Sequence, residues 1–208
     1  MAGLPPELLQ DRIVAVLRAP SLTNADGIIG GLAAAGIRTV ELTYTIGDVL
    51  QHIERAAKLP GVIIGAGTVL SEQQATDAIN AGAKFLVTPA VRPAVAVAAA
   101  KHGIPVLMGA WTPTEVAAAL DCAPAAVKLF PGEMGGPGHL MSLRGPFSKA
   151  TFIPSGGVSA TNAKDWLAAG AVALSAGGSL APADALVSGN AEVIIRAAQT
   201  FVQAVKAV

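Results

Sequence analysis

The chain has 208 residues and sets 14 Lys+Arg against 14 Asp+Glu, a formal net charge of zero, with 52% hydrophobic and 13% charged residues. This excludes a disordered chain, which needs low hydrophobicity and high net charge, and no Lys/Arg run supplies the basic patch of a nucleic-acid binder. No apolar stretch reaches the roughly 18–20 residues that span a bilayer, so the mean hydropathy of +0.56 reports an alanine-rich core, and neither a nucleic-acid nor a membrane partner is expected.

The N-terminal run MAGLPPELLQDR carries acidic residues and prolines where a signal peptide is basic and then apolar. A single cysteine, Cys122, excludes an internal disulfide and suits a reducing cytoplasm, the expected location. One rhythm then runs through the chain. Apolar or β-branched runs appear as IVAVL (13–17), TVELTY (39–44), VIIGAG (62–67) and FLVTP (85–89). They continue as PVLMGA (105–110), AAVKLF (125–130), TFIPSG (151–156) and AVALSAG (171–177). Between them lie segments of helical period: Asp26–Ala35, Asp48–Lys58, Glu72–Ala81, Pro93–His102, Thr114–Leu120, a stretch near His139–Arg144, Asn162–Ala169 and Glu192–Lys206. Continuous apolar strands alternating with helices imply parallel pairing under helical cover. Ser71, with Gln74 three residues on, predicts a capping box. Gly36, Gly82, Gly103 and Gly170 stand where helix ends favour a left-handed residue. Eight strands exceed the roughly five or six of a doubly wound sheet at this length. The predicted fold is therefore α/β, a single (β/α)8 TIM barrel over residues 1–208.

Barrel active sites gather at the C-terminal ends of the strands. The polar residues there are Arg18 after the first run, Glu41 in the second, Thr68 after the third and Thr88 at the end of the fourth. Trp111 and Thr112 follow the fifth, Lys128 lies in the sixth, and Ser155-Gly156-Gly157 and Gly177-Gly178-Ser179 close the last two. Alternation puts Lys128 on one strand face with Ala126 and Phe130. Burial there lowers a lysine's pKa and frees its amine as a Schiff-base nucleophile; the alternative is a snorkelling or carboxylate-paired lysine. Glu41, between Val40 and Leu42, supplies a carboxylate for proton transfer or for a buried ion pair. Together the two predict imine chemistry on a carbonyl substrate. Lys84, at the N-terminal end of its run, reads as an ordinary bottom-face lysine.

The two glycine-rich turns stand where barrels bind phosphate, because glycines let backbone N–H groups face an anion; tight turns alone are the alternative. No dinucleotide or Walker fingerprint occurs in a fitting context, and no His/Asp/Glu cluster has metal-ligand spacing, so no cofactor or metal is expected. His52 and His102 read as helix-surface residues, His139 as part of a solvated loop, and Cys122 as structural.

These residues carry a resemblance to the class I 2-keto-3-deoxy-6-phosphogluconate (KDPG) / 4-hydroxy-2-oxoglutarate (KHG) aldolase family over almost the whole chain. The matching segments are VELT (40–43), GAGTV (65–69), Thr88-Pro89, TPTEV (112–116), VKLFPGE (127–133), RGPF (144–147), PSGGVS (154–159) and GGSLAPADAL (177–186). The resemblance implies a Schiff base on Lys128 and proton transfer by Glu41. It implies substrate contacts at Thr68, Phe130, Gly156, Gly157 and Ser179, and Arg18, Thr45, Pro89, Ser155 and Gly178 are the further candidate substrate contacts at the mouth. The reaction implied is cleavage of KDPG to pyruvate and glyceraldehyde 3-phosphate, with cleavage of KHG to pyruvate and glyoxylate as a second activity. A cofactor-free homotrimer of the Entner–Doudoroff route is implied as well. The chain departs from the pattern at three positions. Thr45 stands where the family's E-x-T-x-R-T arginine binds the keto-acid carboxylate, Ala90 where a glycine is usual, and Gly132 where an alanine is common. Arg18, at the same mouth, is the candidate to replace that arginine. Two alternatives stay open: an aldolase for another 2-keto-3-deoxy acid, and a phosphate-binding barrel or ligand-binding module without aldolase activity.

Overall fold

The computed structural model describes residues 3–207; Met1, Ala2 and Val208 of the predicted span, including the first two residues of the N-terminal run, lie outside the described residues. Eight strands are present: β1 (Ile13–Leu17), β2 (Thr39–Thr43), β3 (Ile63–Gly67), β4 (Leu86–Val87), β5 (Val106–Ala110), β6 (Ala126–Leu129), β7 (Phe152–Pro154) and β8 (Leu174–Ala176). They form one parallel sheet in the order β7-β6-β5-β4-β3-β2-β1-β8. The two edge strands meet: Ser155 bridges Ser175 in parallel, and Val172 N–H donates to the Phe152 carbonyl at 3.1 Å. The sheet is thereby a barrel, as predicted.

Around it lie α1 (Pro6–Asp11), α2 (Ala25–Ala35), α3 (Val49–Ala56), α4 (Glu72–Asn80), α5 (Pro93–Lys101) and α6 (Pro113–Asp121). A 3-10 turn (Gly132–Met134), α7 (Gly136–Arg144), α8 (Ala163–Ala168), α9 (Ala183–Ser188) and α10 (Ala191–Lys206) complete the set. The strands are shorter than the apolar runs. The ends of those runs, Thr88-Pro89, Phe130 and Ser155-Gly156, become the turns at the barrel mouth, because residues aimed at a ligand leave the hydrogen-bond ladder first.

Local chemistry explains the helix boundaries. Thr112 caps α6 in a capping box with Glu115, ahead of Pro113 at the first turn. At α4, Ser71 Oγ accepts from Gln74 N–H at 3.2 Å, but the Gln74 side chain returns to Leu70 N–H at 2.7 Å, one residue before the cap. Gly36, Gly82, Gly103 and Gly170 all take positive φ at helix ends. Two helices escape the periodicity, α1 and α9, each of six residues. His139 lies in α7 and not in a loop.

The barrel interior is a core of its own: Val14, Val16, Phe85, Val87, Leu107, Ala126, Ile153 and Ala173 pack with Leu8 of α1. Helix α1 thus plugs the end of the barrel opposite the mouth. Three strand glycines admit large neighbours. A Cβ at Gly65 would overlap the Phe85 ring, one at Gly67 the Glu41 carboxylate, and one at Gly109 the backbone of Pro89 and Ala90. Strand glycines weaken a ladder unless something approaches closely; at each of these three positions something does.

Candidate active site

Two ionisable groups stand inside the upper barrel. Lys128 on β6 is 3% exposed and Glu41 on β2 is fully buried, with Lys128 Nζ 3.8 Å from Glu41 Oε1. Burial pushes the Lys128 ammonium below the usual lysine range; the Glu41 charge opposes that shift and the Arg18 charge adds to it. Neither Glu41 oxygen has a hydrogen-bond partner among the described residues. A buried carboxylate in that condition is available to a substrate hydroxyl or a bridging water. The Phe130 ring lies with its centroid 5.4 Å from Lys128 Nζ, and the peptide that follows, Phe130–Pro131, is cis.

Beside this pair opens a cavity of about 370 Å³, lined by Val16, Arg18, Phe130, Ser155–Ser159 and Gly177–Ser179. Arg18 is the charged residue of that lining. Gly156 and Gly157 take φ of 92° and 67°, and any Cβ on either would collide with Glu133, whose side chain lies across them. A Cβ at Gly178 would meet no atom within 4 Å, so the backbone there faces open space. Ser179 Oγ donates to the Val158 carbonyl at 2.6 Å and ties the two turns together. The result is a concave backbone surface beside a guanidinium, with the Glu133 side chain against Gly156 and Gly157; its backbone N–H groups suit an oxyanion.

The other predicted residues join the site indirectly. Thr68 follows β3 in the left-handed region at φ 57°, a conformation that costs a β-branched residue about 1–3 kcal/mol and collects at functional sites. Its Oγ1 accepts from Arg18 Nη2 at 3.2 Å. Pro89 covers Gly109, the register partner of Lys128. Thr88 holds that turn, donating to the Ala90 carbonyl at 2.8 Å and accepting from Gly109 N–H at 3.1 Å. Thr45 is exposed, its hydroxyl 2.7 Å from that of Thr43, which in turn lies 3.2 Å from the Leu17 carbonyl. The structure therefore gathers Lys128, Glu41, Arg18, Phe130 and the two glycine turns, with Thr68 and Pro89 at one wall and Thr45 on the rim.

Sequence reasoning missed Glu133 and the pairing of His139 with Trp111. His139 stacks on Trp111 with ring centroids 4.0 Å apart, and its Nε2 lies 2.9 Å from the Trp111 carbonyl oxygen; the half-buried side chain is not solvated as predicted. The run Gly135-Gly136-Pro137-Gly138 before it hid the helix start. Cys122 lies at the other end of the barrel in a larger hollow of about 470 Å³ whose lining carries no charged side chain. Burial and the Asp121 charge push its thiol up, which makes it a poor nucleophile. Among the described residues no three His, Cys, Asp or Glu side chains stand together as metal ligands, and no helix is long and apolar enough to cross a membrane.

Comparison with known proteins follows the same residues. The family model for KDPG and KHG aldolase matches residues 6–197. The KHG/KDPG aldolase of Escherichia coli (strain K12) is 35% identical over 196 residues, covering 93% of this chain and 92% of that protein. A cube-shaped protein cage designed by fusing symmetric oligomeric domains superposes with a TM-score of 0.88 at 28% identity, over 94% of this chain and 72% of its own. The KDPG aldolase of Legionella pneumophila, with pyruvate captured as a covalent carbinolamine, superposes at 0.83 with 25% identity, over 95% and 98% of the two chains.

Proposed function

We propose, because this chain belongs to the KDPG and KHG aldolase family, that it is a Schiff-base carbon–carbon lyase that cleaves KDPG to pyruvate and glyceraldehyde 3-phosphate, and KHG to pyruvate and glyoxylate. The observation that carries the reading is the buried pair: an amine held toward its neutral form, 3.8 Å from a carboxylate whose oxygens have no hydrogen-bond partner among the described residues. Neutral Lys128 attacks the C2 carbonyl, and the carbinolamine loses water to give an iminium. As the C3–C4 bond breaks, its electron pair moves toward the iminium and forms an enamine. The C4 hydroxyl gives its proton, through water, to Glu41, and the aldehyde leaves. Proton return to C3 and hydrolysis then release pyruvate and restore the amine.

In this scheme Thr68, Pro89 and Phe130 border the pyruvyl end. Ser155, Gly156, Gly157, Gly178 and Ser179 receive the distal phosphate, and Thr45 forms part of the rim. The proposal extends to a cytoplasmic homotrimer with no cofactor; the symmetric oligomeric domains of the designed cage support the assembly, and sedimentation at about three times the 20.7 kDa chain mass tests it. For the chemistry, borohydride added with pyruvate should attach pyruvate to Lys128, and Lys128→Met should abolish both the adduct and pyruvate release from KDPG. Turnover of KDPG by Lys128→Met would defeat the scheme.

A further inference from the structure

Ser175 on β8 is 2% exposed, and its hydroxyl has no hydrogen-bond partner among the described residues. The strand registers fix its place in the barrel. In an eight-stranded barrel the register lines climb by about one residue per strand relative to the barrel axis, so side chains from alternate strands share a level. From Ser175 the line runs through Val14 of β1 to Thr39 of β2; the residue of β2 level with Ser175 is therefore Glu41, two beyond Thr39. In the other direction the line runs through Ser155, next after the Leu129–Pro154 pair of β6 and β7, and so to Phe130; the residue of β6 on the level, two before it, is Lys128. Glu41 and Lys128 do meet across the barrel, at 3.8 Å. The fourth member, from β4, is Val87, an apolar residue of the barrel interior. The reacting pair thus shares its level with one further polar group, the Ser175 hydroxyl. Val16 and Ser155, on the two strands flanking β8, line the cavity beside the pair, and Ser175 lies under its floor. Thr39, likewise buried and unpartnered, stands lower on β2, below the level that the Phe85 ring fills at Gly65, and does not share the site.

Resting on the aldolase reading, we propose that Ser175 is a positioning residue for the two hydration steps of the cycle. Its hydroxyl holds the water that carries a proton between Glu41 and the C2 oxygen, as the carbinolamine gives the iminium and as the iminium is hydrolysed. A buried hydroxyl without a partner is costly, and a water shared with the Glu41 carboxylate supplies one. In the forward direction the Lys128 ammonium gives a proton to Glu41, and the neutral amine forms the C2–N bond while one of its own protons passes to the C2 oxygen. The Glu41 carboxyl then protonates that hydroxyl through the held water. The C2–O bond breaks, water leaves, and the nitrogen lone pair closes the C=N bond. Hydrolysis runs the same path backwards. Ser175 serves both directions and takes no part in breaking the C3–C4 bond, so its loss slows the approach to the iminium without moving that equilibrium.

The test separates rate from equilibrium. Ser175→Ala removes a hydroxyl that has no protein partner, so the variant should unfold at or above the wild-type temperature, which certifies its fold. Rapid mixing with pyruvate, followed by a borohydride quench at successive times, reads both the rate at which the Lys128 adduct appears and its final level. In Ser175→Ala that rate, at saturating pyruvate, should fall about tenfold or more, while the final trapped fraction and the half-saturating pyruvate stay within about twofold. An unchanged rate would overturn the assignment. So would a fall in rate matched by a fall in the final fraction, since that is damage to binding at large; in both cases the aldolase reading stands. No adduct in the wild-type protein would instead overturn the aldolase reading, and this assignment with it.

Discussion

Glu41 is paired in register with Gly65, yet its carboxylate leans one interior position toward the mouth and lies over Gly67. The missing side chain at Gly67 is therefore what sets the Glu41–Lys128 geometry. Gly67→Ala should leave the fold intact, since Gly67 lies in a regular strand, at an overpacking cost of about 1–3 kcal/mol. Adduct formation at Lys128 should persist while cleavage falls by about 10²-fold or more, because a displaced proton-transfer group loses its reach. Equal loss of adduct and cleavage would show that Gly67 matters only for packing. The sign of the charge coupling gives a second expectation. Burial lowers the Lys128 pKa and Glu41 partly restores it, so Glu41→Gln should move the alkaline rise of imine formation to lower pH, while turnover drops about 10²–10⁴-fold. Arg18→Ala removes a like charge and should move the same limb to higher pH. The pH profile of borohydride inactivation in the presence of pyruvate reads both shifts, and a rise that stays put in Glu41→Gln would contradict the coupling. At this scale strand alternation was sufficient to find Lys128 and Glu41, since both are polar residues in apolar runs. Glu133 was not visible that way, because it reaches Gly156 from a turn and no period relates the two.

Among the elements, α1 shows what local pattern leaves unsaid. Its six residues carry too few apolar positions for a helical period, and its role is fixed by distant partners. Leu8 enters the interior beneath Val14, Phe85 and Leu107 with no exposure. Asp11, the last residue of α1, holds Arg38 at the start of β2 through Arg38 Nη2 at 2.7 Å, Nε at 2.9 Å and the backbone N–H at 3.0 Å. The helix is therefore a bottom plug that closes the apolar interior against water. Leu8→Ala should cost about 2–5 kcal/mol, which for a chain of this size lowers Tm by roughly 2–4 °C per kcal/mol. Thermal unfolding followed by circular dichroism measures the cost, and kcat at a temperature well below the transition should match the wild type. A variant as stable as wild type would show that α1 is not part of the cooperative core. The α4 cap carries a related lesson: the S-x-x-Q spacing located the helix start correctly, but the glutamine side chain satisfied a different orphan N–H, one that only the chain's path into the helix could reveal.

Across the whole molecule, eight repetitions of strand and helix made the barrel legible, because each cycle needed the same buried-strand composition under a covering helix. Closure was less visible: β7 and β8 meet through one bridge and one further hydrogen bond, in runs whose ends had turned toward the mouth. Charge shows the same division between global and local. The balance of 14 against 14 gives no net field, so a polyanionic substrate is not steered from a distance. Within the cavity lining the attraction comes from Arg18, since Lys128 is buried beside its counter-ion. Salt should therefore act weakly and through one residue. Between roughly 0.02 and 0.3 M salt the screening length falls several-fold, and kcat/KM for KDPG should decline by no more than about threefold. In Arg18→Ala that residual slope should vanish, even though the starting value is lower. Steady-state rates at constant pH across the salt series measure both slopes; a steep decline that survives in Arg18→Ala would mean that cations elsewhere on the surface gather the substrate, and that neutrality of the sum conceals a field over the mouth.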